Sequence, residues 1–229
     1  MNNDIVVLCG GKGTRIKTVS KNVPKSLIKV KGKPFLEYKL YKLEKFDFKN
    51  LYLCTGYKSY QIKKFIKERK NKLNTNICND GKELLGTGGA IKKIIKKLSN
   101  IFFVTYGDIY DQIDYELMLK EYKEKKLPIM MSIIKNKNKL YVNNVDIIDN
   151  KFVFYNKKAA NFFFDFIDYG VMIFKKKIFT EIKKKKFQLE DLIHNLSLRR
   201  QVSFYLEKKN FYEIGSIDGL KNFNNFCEK

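Results

Sequence analysis

Leu8-Cys-Gly-Gly-Lys-Gly-Thr-Arg15 and, a short interval later, Val23-Pro-Lys25 form the stretch from which the rest of the chain is read. It follows an apolar run, Asp4-Ile-Val-Val-Leu-Cys9, that predicts a buried strand. Gly10, Gly11 and Gly13 come next. Glycine lets backbone N–H groups approach a ligand with no Cβ in the way. A turn of such groups after a strand is a nest for an anion. Thr14 adds a hydroxyl donor, Arg15 a planar cationic fork and Lys25 a second positive charge. Together they predict a polyphosphate site. Neither common phosphate loop is present. The Gly-Lys pairs starting at Gly11, Gly32 and Gly81 are followed by Gly, Pro and Glu, where a P-loop needs Ser or Thr. A dinucleotide fingerprint needs a third glycine where Ile16 stands.

The full ordered string is Gly-Gly-x-Gly-Thr-Arg, then Pro24-Lys25, then Gly32-Lys33-Pro34. It resembles the signature of the sugar-phosphate nucleotidylyltransferases, and the likeness runs more loosely along nearly the whole chain. The resemblance implies that the loop wraps a nucleoside triphosphate through Leu8, Gly10, Gly11, Gly13, Thr14, Arg15 and Lys25. It also implies that Arg15 and Lys25 neutralise phosphates and count as catalytic residues.

Composition sets the outer bounds. At 229 residues the chain can bury a sizeable core in one domain. We read residues 1–125 as the nucleotide-binding part and 126–229 as the sugar-phosphate-binding part. No run of about 18 apolar residues occurs. The start, Met-Asn-Asn-Asp, is not a secretory leader. The expectation is a cytoplasmic protein without membrane insertion, a monomer or small homo-oligomer. Cys9, Cys54, Cys78 and Cys227 form no C-x-x-C pair and read as reduced, packed thiols. The single histidine, His194, reads as a surface or packing residue. The net charge of +23 comes almost wholly from lysine, since only Arg15, Arg69, Arg199 and Arg200 are arginines. The lysines are spread along the chain, so they read as a solvated basic surface that steers anionic substrates rather than as a nucleic-acid footprint.

Along the chain the pattern is strand 4–9, helix 35–46, strand 50–54, helix 60–70, strand 74–78. This alternation predicts an α/β fold, a Rossmann-like mixed, mostly parallel sheet flanked by helices, with phosphate at the carboxyl end of its first strand. Glu83-Leu-Leu-Gly-Thr-Gly-Gly-Ala90 then leads into a helix ending at Leu98. By the resemblance this pattern sits at the base. Gly88 lets the base lie against the backbone, and Glu83 accepts hydrogen bonds from guanine. Strand 101–105 is nearly all apolar and ends in Tyr106-Gly107-Asp108. A carboxylate at the carboxyl end of a buried strand suits a metal, and the resemblance implies that Asp108 binds the catalytic Mg²⁺. Asp111 reads as loop and Asp114 as the N-cap of helix 115–125.

From Pro128 the pattern turns β-rich, with strands at 129–134, 141–148, 152–155 and 166–174. The resemblance makes this a smaller sugar-binding lobe in which Asn156, Lys157, Asp168 and Gly170 face the sugar phosphate. Asn156 stands where many relatives have Glu. Glu190-Asp191 suit the start of helix 189–198, where acids favour the dipole. Phe211-Tyr-Glu-Ile-Gly-Ser216 reads as the end of the sheet, and Glu213 stands where the family usually has its second Mg²⁺-binding Asp. Helix 218–226 follows.

The implied reaction joins a nucleoside triphosphate and a sugar 1-phosphate into an NDP-sugar and pyrophosphate, with Mg²⁺ as cofactor. The Leu-Gly-Thr-Gly-Gly-Ala, Asp-Tyr-Gly and Glu-Ile-Gly-Ser variants most resemble the branch that uses GTP and D-glycero-α-D-manno-heptose 1-phosphate to make GDP-heptose for surface polysaccharide. Mannose 1-phosphate and other sugar 1-phosphate or phosphocholine nucleotidylyltransferases are alternatives. More distant readings are a metal-dependent glycosyltransferase and a non-catalytic nucleic-acid-binding relative.

Overall fold

A strand apolar on both faces belongs in the middle of a sheet, and that is where β1 (Asp4–Cys9) lies, buried along its whole length. The computed structural model describes residues 2–11, 16, 22–136, 142–158 and 164–228. After β1 come a short hairpin, β2 (Lys29–Val30) and β3 (Lys33–Pro34), and then α1 (Phe35–Leu43). Next follow β4 (Leu51–Thr55), α2 (Ser59–Glu68), β5 (Thr75–Asn79), α3 (Gly86–Ile94), β6 (Ile101–Tyr106), β7 (Ile109–Tyr110) and α4 (Tyr115–Lys125). The second half holds β8 (Ile129–Lys135), β9 (Val145–Ile148), β10 (Phe152–Tyr155), β11 (Phe166–Lys175), α5 (Lys177–Thr180) and α6 (Leu189–Leu198). It closes with β12 (Val202–Glu207), β13 (Tyr212–Glu213) and α7 (Ile217–Phe226).

Nine strands form one mixed sheet in the order β10-β9-β11-β6-β1-β4-β5, with β8 on β11 and β12 on β8. The run β6-β1-β4-β5 is parallel, and β11 joins β6 antiparallel. One face packs on α1, α2 and α4 through Leu36, Leu40, Ile62, Met118 and their neighbours. The other packs on α3 and α6 through Ile91, Ile94, Leu189 and Ile193. Edge-to-face ring contacts stiffen the first face: Phe103 meets Tyr115 at 5.4 Å and Phe48 at 5.5 Å between centroids. Among the described residues no helix is long and apolar enough to cross a membrane. All four cysteines are free. His194 packs edge-on to Phe154, and its Nδ1 lies 2.7 Å from the Tyr155 carbonyl oxygen.

The structure departs from the sequence reading in four places. The helix expected to begin near Ala90 starts at Gly86, because the glycine run itself is helical against Phe187. The second lobe strand begins at Val145 instead of residue 141, and residue 141 lies outside the described residues. Val202–Glu207, to which the pattern assigned nothing, is β12, parallel to β8; Val202 and Phe204 join one core cluster and Tyr205 the other, as alternate residues of a strand do. The stretch read as the end of the sheet leaves it: β13 pairs with β7 in a separate two-stranded ribbon. Asp114 caps α4 as expected, its Oδ1 accepting from the N–H groups of Glu116 and Leu117.

Only one charged side chain at the start of the central strand is buried, and it is fully used. Asp4 accepts from Asn50 Nδ2 at 2.8 Å and from Ser99 N and Oγ at 2.6 and 2.7 Å. It thereby ties the loops before β4 and β6 to β1. Asp4→Ala strands these donors and is expected to cost about 2 kcal/mol or more, read as a lower urea midpoint at unchanged slope.

Candidate active site

The parallel strands deliver their carboxyl ends to one edge, and a cleft of about 730 Å³ opens there. Of the expected residues, Leu8, Gly10, Gly11, Lys25, Glu83 and Asp108 line it. Gly13, Thr14 and Arg15 lie outside the described residues. Gly107 continues the β1–β6 ladder by donating to the Leu8 carbonyl at 3.0 Å. A Cβ on Gly107 would overlap Cys9 Sγ, so glycine is needed for this approach. Burial, and then the Asp108 charge, push the Cys9 thiol up to about 12, which keeps it protonated and unreactive.

Lys25 Nζ lies 2.5 Å from Asp108 Oδ2, an ion pair at the cleft wall. Asp108 in turn meets the end of the chain. Glu213 pairs with Ile109 across the β7–β13 ribbon, and Ile214 N donates to the Asp108 carbonyl at 3.1 Å. The Glu213 carboxylate bends back, Oε2 accepting from Gly215 N and Oε1 from Ser216 Oγ. A Cβ on Gly215 would overlap both Lys25 Nζ and Glu213 Oε2, so these two side chains converge over a glycine. Glu213 does not line the nucleotide-side cleft; its side chain borders a separate hollow against α7.

Gly88 departs from expectation. It is buried, its N–H donates to the Phe187 carbonyl at 3.1 Å, and a Cβ there would overlap the Phe187 ring. The glycine serves helix packing, and Gly86, Thr87 and Ala90 are the residues of that run that line the cleft. Sequence reasoning missed Asp80, Lys82, Tyr106, Lys186 and Gln188 on the same lining. Asp80 is half-buried at the carboxyl end of β5. Burial raises its carboxyl pKa, and Leu85 N donates to its Oδ2 at 3.1 Å. The strand-end position that singled out Asp108 would have found it. Lys186 was hidden in a lysine run, and Gln188, whose Oε1 accepts from Thr87 N and Oγ1, carried no signal.

The sugar-side residues gather beyond Tyr106. Lys157 Nζ is 2.9 Å from Glu190 Oε2, so Glu190 does more than favour a helix dipole. Asp168 Oδ1 accepts from Gly170 N at 2.8 Å, and Asp168 N donates to Asn144 Oδ1. Asn156 Oδ1 accepts from Lys158 N at 3.1 Å. Gly170 has φ +92, and a Cβ there would press on Ile109, so β11 can pass close beside the Asp108 turn only with glycine. Burial, and then the charges of Asp168, Glu190 and Asp108, raise the Tyr106 hydroxyl pKa well above its ordinary value. Tyr106 thus stands between the Asp108 group and the Asp168–Glu190–Lys157 group, although Asn156, Lys157, Asp168 and Gly170 do not line the cleft itself.

A sheet of this order, with a carboxylate and an ammonium at its carboxyl edge and a base-sized cleft beside them, is that of a Rossmann-like nucleotidyltransferase. The nucleotidyl transferase family profile matches residues 5–229, and the chain belongs to that family, whose members make NDP-sugars from a nucleoside triphosphate and a sugar 1-phosphate. It is similar to the D-glycero-alpha-D-manno-heptose 1-phosphate guanylyltransferase of Campylobacter jejuni, 29% identical over 95% of this chain and 97% of that protein. The enzyme of the same name from Aneurinibacillus thermoaerophilus is 28% identical over 95% of each. The crystal structure of HddC from Yersinia pseudotuberculosis superposes with TM-score 0.82 at 27% identity, covering 98% of this chain and 99% of that one, and a second structure of HddC is a complex with GMP-PN.

Burial pushes the Asp168 carboxyl up to about 6; the Gly170 N–H and Lys157 oppose this, and Glu190 adds to it. The folded state therefore holds the proton more tightly than the unfolded chain. The resulting stability is full below the ordinary carboxyl value and is lost as pH rises through about 6. Asp168→Asn keeps an acceptor for Gly170 and cannot ionise. Its stability relative to the parent is expected to improve by roughly 1–2 kcal/mol between pH 4 and pH 7.5, measured by urea unfolding at both. A pH-independent difference would assign Asp168 an ordinary carboxyl.

Proposed function

We propose that the protein transfers the guanylyl group of GTP to D-glycero-α-D-manno-heptose 1-phosphate, giving GDP-heptose and pyrophosphate. The observation that carries this reading is the Lys25–Asp108 ion pair on the wall of a nucleotide-sized cleft, with Glu213 approaching Lys25 over Gly215. The similarity to two heptose 1-phosphate guanylyltransferases along almost their whole lengths supports the choice of substrates.

A phosphate oxygen of the sugar 1-phosphate attacks the α-phosphorus, and the bond from that phosphorus to the oxygen bridging to the β-phosphate breaks. The nucleophile is already an anion near neutral pH, so no general base is required. The barrier is repulsion between anions and the charge growing on the leaving pyrophosphate, so positioned cations carry the catalysis. Lys25 serves the α-phosphate, and Arg15, Gly13 and Thr14 serve the leaving pyrophosphate. Gly10 and Gly11 offer backbone N–H groups, with Leu8 beneath the nucleoside. Glu83 reads the base, and Lys157, Asp168, Asn156 and Gly170 form the sugar-phosphate side.

The residues present suit Mg²⁺. Asp108, in the turn before β7, and Glu213, on β13, are hard oxygen donors at the two sides of one ribbon. Each Glu213 oxygen accepts one hydrogen bond and keeps a further lone pair. One or two carboxylates with phosphate and water completing the shell is the usual Mg²⁺ arrangement. Held there, the ion would neutralise phosphate charge.

The test is pyrophosphate release with Mg²⁺, each of the four common nucleoside triphosphates and a panel of sugar 1-phosphates. Release with GTP and heptose 1-phosphate is expected; release with mannose 1-phosphate or another pair instead would replace the substrates and keep the chemistry. Asp108→Asn is expected to fold normally and lose about a hundredfold or more in kcat. Full activity in that variant would remove Asp108 from the site.

A further inference from the structure

Three charged side chains lie buried in the core beneath the site, where charge is costly unless fully partnered. Lys39 and Lys42, one turn apart on α1, both reach Asp111 in the segment between β6 and α4. Lys39 Nζ donates to Asp111 Oδ2 at 2.5 Å and to Thr105 Oγ1 at 2.7 Å. Lys42 Nζ donates to Asp111 Oδ1 and to the Ile113 carbonyl at 3.1 Å. The Tyr115 hydroxyl and Ile113 N donate to the same carboxylate at 3.0 and 3.3 Å. Four donors therefore meet its two oxygens, which fixes the carboxylate in one orientation.

Stability alone does not account for such a cluster, because apolar residues of similar volume usually serve a core as well or better. Its place in the fold suggests another purpose. Asp111 lies three residues beyond Asp108, in the segment that carries β7. That segment is also held where Gly107 N meets the Leu8 carbonyl, where Ile214 N meets the Asp108 carbonyl, and where Gln112 N meets the Tyr169 hydroxyl. On the other side, α1 is the helix into which the Lys25 segment runs, and Phe35 N donates back to the Ile28 carbonyl at 2.9 Å. One helix thus anchors both the Lys25 segment and the Asp108 segment.

We propose that the buried Lys39–Asp111–Lys42 cluster is a positioning device that holds Asp108 in register with Lys25 for nucleotidyl transfer. This rests on the function proposed above. Asp111→Asn alone would leave two buried ammonium groups without a carboxylate and is expected to misfold. The informative protein is the full chain with Lys39→Met, Lys42→Met and Asp111→Leu together. It is expected to unfold at a urea concentration no lower than the parent. Its kcat is expected to fall about tenfold or more, since small misplacements are costly, with KM for the nucleoside triphosphate within about twofold of the parent. Hydrogen exchange of peptides covering residues 107–114 is expected to quicken about tenfold or more while β1 peptides stay unchanged. A folded triple variant with the parent's kcat, or with the parent's exchange over 107–114, overturns the proposal. Failure to fold also overturns it, by assigning the cluster to stability. If the parent releases no pyrophosphate with any pair, the proposed function fails, and the exchange rates alone decide the positioning role.

Discussion

The ion pair between Lys25 and Asp108 sets the terms for the rest of the molecule. A flexible ammonium and a short carboxylate are held 2.5 Å apart although their segments lie 83 residues apart in the chain. Three backbone features make this geometry available. The parallel β1–β6 ladder runs on to Gly107, which brings Asp108 to the edge of the sheet. The β7–β13 ribbon returns the end of the chain to the same point. Gly215 lacks the Cβ that would collide with Lys25. Each is a constraint on the backbone, and each would fail with an ordinary side chain or a slipped register.

Most of the sheet was legible because buried parallel strands and amphipathic helices differ in period. β1, β4 and β6 read as short apolar runs, and α1 and α2 as stripes. The misses share a cause, since periodicity reports one element's own face and says nothing of its partners. Gly88 and Gly89 looked like a loop because glycine disfavours helix. Phe187 supplies the reason for Gly88 and the Lys185 carbonyl that for Gly89, and both lie about a hundred residues further along. Asp111 looked like loop because its two partners sit on a helix whose lysines read as solvent-facing. Of the site, Lys25, Asp108 and Glu83 were legible from their places in the ordered string. Asp80 follows the end of β5 but lies outside that string, and nothing in the neighbourhood of Glu190 marks Lys157.

The lysine excess has a structural echo. With 47 basic and 24 acidic residues, many ammonium groups have no carboxylate to meet. Several settle on backbone carbonyls instead: Lys93 on Asn79 and Asp80, Lys176 on Lys96 and Leu98, and Lys92 on Ile182 and Lys184. Lys92 and Lys176 are thereby used to join α3 and the segment after it to the stretch from β11 to α6. Lysine suits this use because its three donors sit on a flexible stem and carbonyls cost no second charge. The basic surface is thus partly mortar, and its remaining field favours anionic substrates at the cleft, where Lys82 and Lys186 stand.

Glu213 shows how one extra methylene is absorbed. Where the resemblance leads one to expect an aspartate, the longer side chain curls back to accept from Gly215 N and Ser216 Oγ, at the N-terminus of α7. The carboxylate stays close to its own backbone, and a Cβ on Gly219 would overlap Oε1, so the first turn of α7 is shaped around it. Negative charge is favourable at that end of a helix. The other end of α7 is fixed by aromatic packing. Phe223 meets Phe35 at 4.8 Å and Tyr38 at 5.4 Å, in a cluster that also holds Ile16 and Val30. Ile16 follows the glycine-rich stretch directly, and Phe35 opens α1. The helix that follows Glu213 therefore packs on Ile16 and on Ile28 and Val30, the residues that lead from Lys25 to α1, and joins them in one small core.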